Sequence, residues 1–153
     1  MNNPVLHFGL IGAIVLVFLT HIPWVIWGES MSYPFAVVMG YISVTLALVS
    51  IYFAVRKYRD EIANGVISFW KAFKIGILTA LIPSLFMFIS TTLFHMMQGD
   101  RFRAWAITEM EKSLPTAEFE AQMAQMESMG SLVENPFFQG FVMFMTVFII
   151  GVI

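Results

Sequence analysis

Residues 5–27 read VLHFGLIGAIVLVFLTHIPWVIW, and this run from Val5 to Trp27 carries no formal charge, with only His7, Thr20 and His21 as polar interruptions. A helix needs ~20 apolar residues to cross the hydrocarbon core of a bilayer, and this stretch supplies them. No basic segment precedes it and it holds no small-residue cleavage site, which predicts an uncleaved anchor and not a signal peptide. Working outward, the same signal recurs. Tyr33–Val55 is a second run, with Pro34 in the first turn, where a missing N–H costs nothing. Ser68–Met97 is a third and longer one, and Asn135-Pro136 opens a fourth that runs to Ile153. The expected fold class is all-α: an integral membrane four-helix bundle in a single domain, 1–153. Its spans fall at about 5–27, 33–55, 68–97 and 136–153, with a short helical segment over 99–135.

Composition agrees. The 153 residues are 59% hydrophobic and 12% charged, with a mean hydropathy of +0.81, where soluble chains hold about 45–50% and about 25%. A net charge of −2 excludes a basic nucleic-acid binder. The absence of cysteine excludes disulfides, thiol catalysis and zinc–thiolate sites.

The charges are sorted along the chain. Arg56, Lys57, Arg59, Lys71 and Lys74 lie around the link between the second and third runs, whereas 99–135 has three basic residues against seven acidic ones. The positive-inside rule then predicts 56–74 and both termini in the cytoplasm, with 99–135 extracytoplasmic. Trp24, Trp27 and Tyr33 would form the outer aromatic belt, and Tyr52, Tyr58 and Trp70 the inner one. The five cations would each gain about 1 kcal/mol near anionic headgroups, so membrane lipids are expected partners. Within 99–135, Pro115 divides two helical pieces. The second is expected to take Thr116 as its N-cap and to end at Gly130, with Phe119, Met123 and Met126 on one face.

Small residues mark where membrane helices approach closely. In the second run Ala36, Gly40, Ser43, Ala47, Ser50 and Ala54 recur at alternating steps of four and three, and in the third Ala72, Gly76, Ala80 and Ser84 recur every four. These are the expected helix-packing residues, with Gly40 a point of close approach. A tight bundle is the plainer reading; a docking face for another membrane subunit or a second copy is the sharper one.

The chemistry-bearing residues are sparse. His21 and His95 are expected near the outer membrane level, with Glu29 and Asp100, and ionisable groups at membrane depth are functional candidates by default. Two imidazoles suit a metal or a proton relay. Met123, Met126 and Met129 offer thioethers to a soft metal, although methionine is also an ordinary gap-filler. His21, His95, Met123 and Met126 are thus weak metal candidates beside the blander readings of headgroup-level histidines and packing methionines. Pro83, followed by Ser84, Ser90, Thr91 and Thr92, suits a kinked transport path or simply a bundle-shaping bend. No span carries a charged residue near mid-membrane, which argues against an ion-coupled transporter. No phosphate loop, nucleophile elbow or dinucleotide glycine pattern appears, so no cofactor or catalytic residue is implied and an enzyme is not expected. The leading expectation is a scaffold or accessory subunit; the alternatives are a transporter or channel component, and a metal- or proton-linked protein using His21 and His95.

Tyr58-Arg59-Asp60 and the block Asn64-Gly65-Val66-Ile67-Ser68-Phe69-Trp70-Lys71-Ala72-Phe73-Lys74-Ile75-Gly76 resemble the signature of a bacterial membrane family known as domain of unknown function 4199. The stretch Gly9-Leu10-Ile11, the Asn135-Pro136-Phe137 entry to the last run and the acidic, Met- and Ala-rich segment before it add to the likeness. The resemblance implies four spans, the bacterial inner membrane and a natural chain that continues past Ile153. It implies no activity and no catalytic residues.

Overall fold

A computed structural model describes residues 3–153, and it is an all-α bundle. Five helices follow one another: α1 (Pro4–Trp27), α2 (Tyr33–Glu61), α3 (Phe69–Ser113), α4 (Thr116–Met129) and α5 (Pro136–Val152), with single 3₁₀ turns at Gly28–Ser30 and Gly130–Leu132. Helices α1, α2 and α3 are long and apolar enough to cross a membrane; α5 is equally apolar but has only 17 residues, a length of ~25 Å.

Two of the helices start in the same way. Asn3 precedes Pro4, and its side chain accepts a hydrogen bond from the amide of Val5 at 3.1 Å. Asn135 precedes Pro136 and accepts from the amides of Phe137 and Phe138 at 2.9 and 3.2 Å. The asparagine satisfies orphan donors while proline presets the first helical φ. The turn between α2 and α3 needs a left-handed backbone at Asn64 (φ 52°) and Gly65 (φ 86°), residue types that tolerate it.

Two sequence expectations change. The third helix does not stop at Met97: α3 runs unbroken through Gly99 and Asp100 to Ser113, 45 residues in all. A lone helical glycine costs only about 1 kcal/mol, and the alanine-, arginine- and glutamate-rich sequence after it favours helix. The break comes at Pro115, whose ring drives Leu114 into extended backbone (φ −101°, ψ 149°). Thr116 is therefore not the N-cap. Pro115 holds that position, Thr116 is the first helical residue, and no side chain caps the helix. Phe119, Met123 and Met126 are half-buried along one side of α4, while Glu118, Glu120 and Glu127 are exposed.

In the bundle α1 packs on α2 and α3, α3 packs also on α5, and α2 scarcely touches α5. Leu16, Ala47, Met87 and Val147, one each from α1, α2, α3 and α5, form the central layer. Lipid is as apolar as leucine, so close van der Waals packing has to hold membrane helices together, and glycine supplies it here. A Cβ on Gly12 would stand 2.6 Å from Ser50 Oγ and 2.9 Å from the Ala47 carbonyl oxygen. One on Gly140 would stand 2.8 Å from the Phe88 carbonyl oxygen and collide with the Thr92 hydroxyl. Ser43, Ala47, Ser50 and Ala54 of the α2 seam are buried, as are Ala80 and Ser84 of the α3 seam, while Ala72 and Gly76 are half-buried. Gly40 differs from the expectation. A Cβ there meets nothing within 4 Å, because Gly40 borders a cavity.

The end of the bundle bearing the α1–α2 link carries a crown built by the outer third of α3. The Trp105 indole N–H donates to the Met31 carbonyl at 2.9 Å, and Trp24, Met31 and Trp105 form a second buried cluster flanked by Phe94 and Phe102. Arg101 pairs with Glu29 at 2.5 Å, and Arg103 pairs with Glu134. These exposed pairs add little each, but they tie α3 to the α1–α2 link and to the entry of α5.

Candidate functional site

The space beside Gly40 is a chamber of about 250 Å³ in the crown half of the bundle, walled by α1, α2, α3 and α5. Its polar wall consists of Thr20, His21, Thr91, His95 and Gln139. Its apolar wall is aromatic and thioether: Trp24, Phe94 and Phe102, with Met31, Met39, Met87 and Met143. No aspartate, glutamate, lysine or arginine lines it.

Hydrogen bonding fixes what each polar group presents. His21 Nδ1 lies 3.0 Å from the Val17 carbonyl oxygen and His95 Nδ1 lies 3.0 Å from that of Thr91. A carbonyl only accepts, so each Nδ1 carries the proton and, in the neutral ring, each Nε2 keeps a bare lone pair. The Gln139 amide nitrogen donates to the Val133 carbonyl at 2.8 Å, which leaves its oxygen as a further acceptor. Thr20 and Ser43 share a hydrogen bond at 3.1 Å. Thr91 stands apart. Helix-borne hydroxyls elsewhere bond back to a carbonyl of the preceding turn, as Thr79 does to Ile75 and Ser84 to Ala80, both at 2.8 Å. The hydroxyls of Thr91 and Thr92 have no partner although both residues are at least 95% buried. Thr92 lies against Gly140; Thr91 belongs to the chamber wall.

A second hollow of about 270 Å³ adjoins the first and shares His95, Phe102 and Gln139 with it. Its remaining wall is charged at Asp100, Arg103 and Glu134 and thioether-rich at Met110, Met126 and Met129. It lies between α3, α4 and the entry of α5, in the position of a vestibule to the chamber.

The candidates picked from the sequence separate accordingly. His21 and His95 come together on one chamber. Met126 sits on the vestibule wall, and Met123 lines neither hollow. Glu29 is engaged by Arg101, away from both histidines. Among the described residues no group of three or more His, Asp or Glu stands close enough to hold a metal ion. Ala36 and Gly40 line the chamber, whereas the other four seam residues of α2 do not. The basic cluster is partly neutralised: Arg56 and Arg59 lie 3.6 and 2.7 Å from Asp60, Lys57 lies 3.7 Å from Glu61, and Lys71 sits over the Tyr58 ring. The Arg59 guanidinium, donating to the Asp60 carboxylate, holds that carboxyl below its ordinary range. Lys74 is exposed. Gln139 and Met39 were not singled out by sequence, because each is unremarkable on its own helix and gains meaning only where four helices meet, and Trp24, expected in an interfacial aromatic belt, is instead buried on the chamber wall.

No curated protein and no solved structure matches the chain. A family model does match, over residues 7–153, and its description is "Protein of unknown function (DUF4199)". With nearly its whole length covered, the chain belongs to the DUF4199 family.

Proposed function

We propose that this is a multi-pass protein of the bacterial inner membrane that takes a small ligand into the chamber from the extracytoplasmic side, as a binding or transport component and not as an enzyme. Both termini and the basic α2–α3 turn would lie in the cytoplasm, with α4 and the outer third of α3 outside. The sorting of charge supports this orientation: the turn is basic and the crown acidic. The observation that carries the reading is the wall shared by the two hollows at His95, Phe102 and Gln139. It lines up a polar vestibule with a largely apolar chamber bearing a few convergent polar groups, the usual composition of a small-molecule site.

The scaffold reading is weaker than the sequence suggested, since the buried seam residues face into the bundle and not toward a further subunit. The lack of any cysteine makes a direct test clean. Single cysteines replace Ala106 in the vestibule, Ala36 in the chamber, Leu46 on the lipid-facing side of α2 and Ala63 in the α2–α3 turn. In intact cells a membrane-impermeant maleimide is expected to label positions 106 and 36, to label 63 only after permeabilisation, and to leave 46 unmodified. Labelling of 63 before 106 would invert the orientation, and an inert position 36 beside a reactive 106 would refute the chamber as a ligand site.

A further inference from the structure

We infer that the chamber receives the hydroxylated ring of a lipid-soluble molecule, a quinol-type headgroup, whose tail leaves between α2 and α5. This rests on the ligand-binding reading above and names the ligand class. Three observations converge on it.

The first is polarity. Two imidazole Nε2 atoms and the Gln139 amide oxygen present lone pairs, and no charged side chain lines the wall. Such a wall selects an uncharged ligand that brings its own O–H donors, since any acceptor of the ligand opposite these lone pairs would be desolvated without a partner. Thr91 supplies the complement. Its hydroxyl is unpartnered and buried from solvent, so it donates to an oxygen that is itself donating to an imidazole only by turning about χ1 into the chamber. A dihydroxy-aromatic ring offers two such oxygens.

The second is shape. The T-shaped array of His21, Trp24, Phe94 and Phe102 and the four thioethers make a wall suited to a flat ring. At about 250 Å³ the chamber lies below the ~300–1,000 Å³ of sites that enclose whole drug-sized molecules. It therefore holds one substituted ring and not an entire lipid.

The third is the way out. Helices α2 and α5 scarcely touch, and the chamber is bounded on that side by Ala36, Met39 and Gly40 from one helix and Gln139 and Met143 from the other. At Gly40 a Cβ would meet nothing within 4 Å. A small-residue edge on a thin wall leaves room for an alkyl chain to pass from the ring into the bilayer.

The test uses the full chain in lipid nanodiscs and a benzoquinol bearing one isoprene unit, held reduced under anaerobic conditions, alongside its quinone. Binding is read from quenching of tryptophan fluorescence and from the shift in Tm. The quinol is expected to bind and the quinone, which has acceptors only, to bind at least about tenfold more weakly. Gly40→Leu, whose Cβ meets nothing within 4 Å, and Thr91→Val, which removes only the orphan hydroxyl, are each expected to weaken quinol binding at least about tenfold while the unliganded Tm holds or rises. Met123→Leu is expected to change nothing. Equal binding of quinol and quinone, binding indifferent to Gly40→Leu and Thr91→Val, or no binding of the quinol would each overturn the assignment. Maleimide labelling at position 36 separates the two levels: a labelled chamber that ignores the quinol sinks only the ligand class, whereas an unlabelled one sinks the site itself.

Discussion

Gly12 and Gly40 lie on adjacent helices of one bundle, and their surroundings are opposite. At Gly12 the backbone of α2 stands so close that no Cβ fits, and at Gly40 a Cβ would meet nothing within 4 Å. The bundle thus has a tightly packed middle, where Leu16, Ala47, Met87 and Val147 close on one another, and a hollow crown half, where aromatic rings and thioethers line a cavity. A helix held by van der Waals contact alone has to earn its stability where it is tightest. The hollow half can then give up packing for a binding surface.

The largest expected effect tests the packed half. Gly12→Leu forces α1 away from Ala47 and Ser50, and overpacking of this kind costs ~3 kcal/mol or more, so the purified variant should lose most of its thermal stability in detergent. A wild-type Tm would mean the two halves do not differ as described. Next comes the crown. Trp105→Phe keeps the ring but strips the donor from the Met31 carbonyl, and an unpaired buried acceptor costs about 1–3 kcal/mol. Faster amide exchange in the outer third of α3, without change near Leu16, would confirm that the crown is a separate element. Uniformly faster exchange would merge it with the rest. A smaller effect of opposite sign is expected from Thr91→Val, which should raise stability by up to ~1 kcal/mol because the hydroxyl it removes has no partner. A loss of stability would reveal a hydrogen bond and close the hollow half to that argument.

The smallest effect lies at the α2–α3 turn. The Asp60 carboxyl is held below its ordinary range, with its hydrogen bond from Arg59 the leading cause. Its contribution to stability is therefore complete above the usual aspartate range and fades as pH falls through the depressed value. Asp60→Asn should lower Tm slightly at neutral pH and converge on the parent protein as pH falls below the depressed value, while a difference that persists in acid would point to a larger role for the turn.

The all-α bundle was legible because hydrophobic runs of membrane length admit few alternatives, and the Asn-Pro entry at 135–136 announced its helix. The continuation of α3 past Met97 was not legible. Gly99 and Asp100 look like the edge of a loop, yet their cost is small beside the thirteen residues that follow, which include two alanines, two arginines and two glutamates. The alternating seam of α2 read as one uniform surface, but Ala36 and Gly40 depart from the other four because they border a cavity, and a cavity walled by several helices leaves no trace in the sequence of one. His21 and His95 stood out as ionisable groups at membrane depth. Their common chamber did not, since its wall draws on four helices and on Thr91, whose importance lies in a bond it fails to make.

The unbroken course of α3 has a mechanical consequence. At 45 residues it is a rod ~67 Å long that carries Met87, Thr91 and His95 of the chamber in its middle and reaches the crown with the same backbone. A tilt of about 5° would displace one end against the other by ~6 Å. The chamber wall and the crown are thus carried on one backbone, and a tilt of α3 moves both.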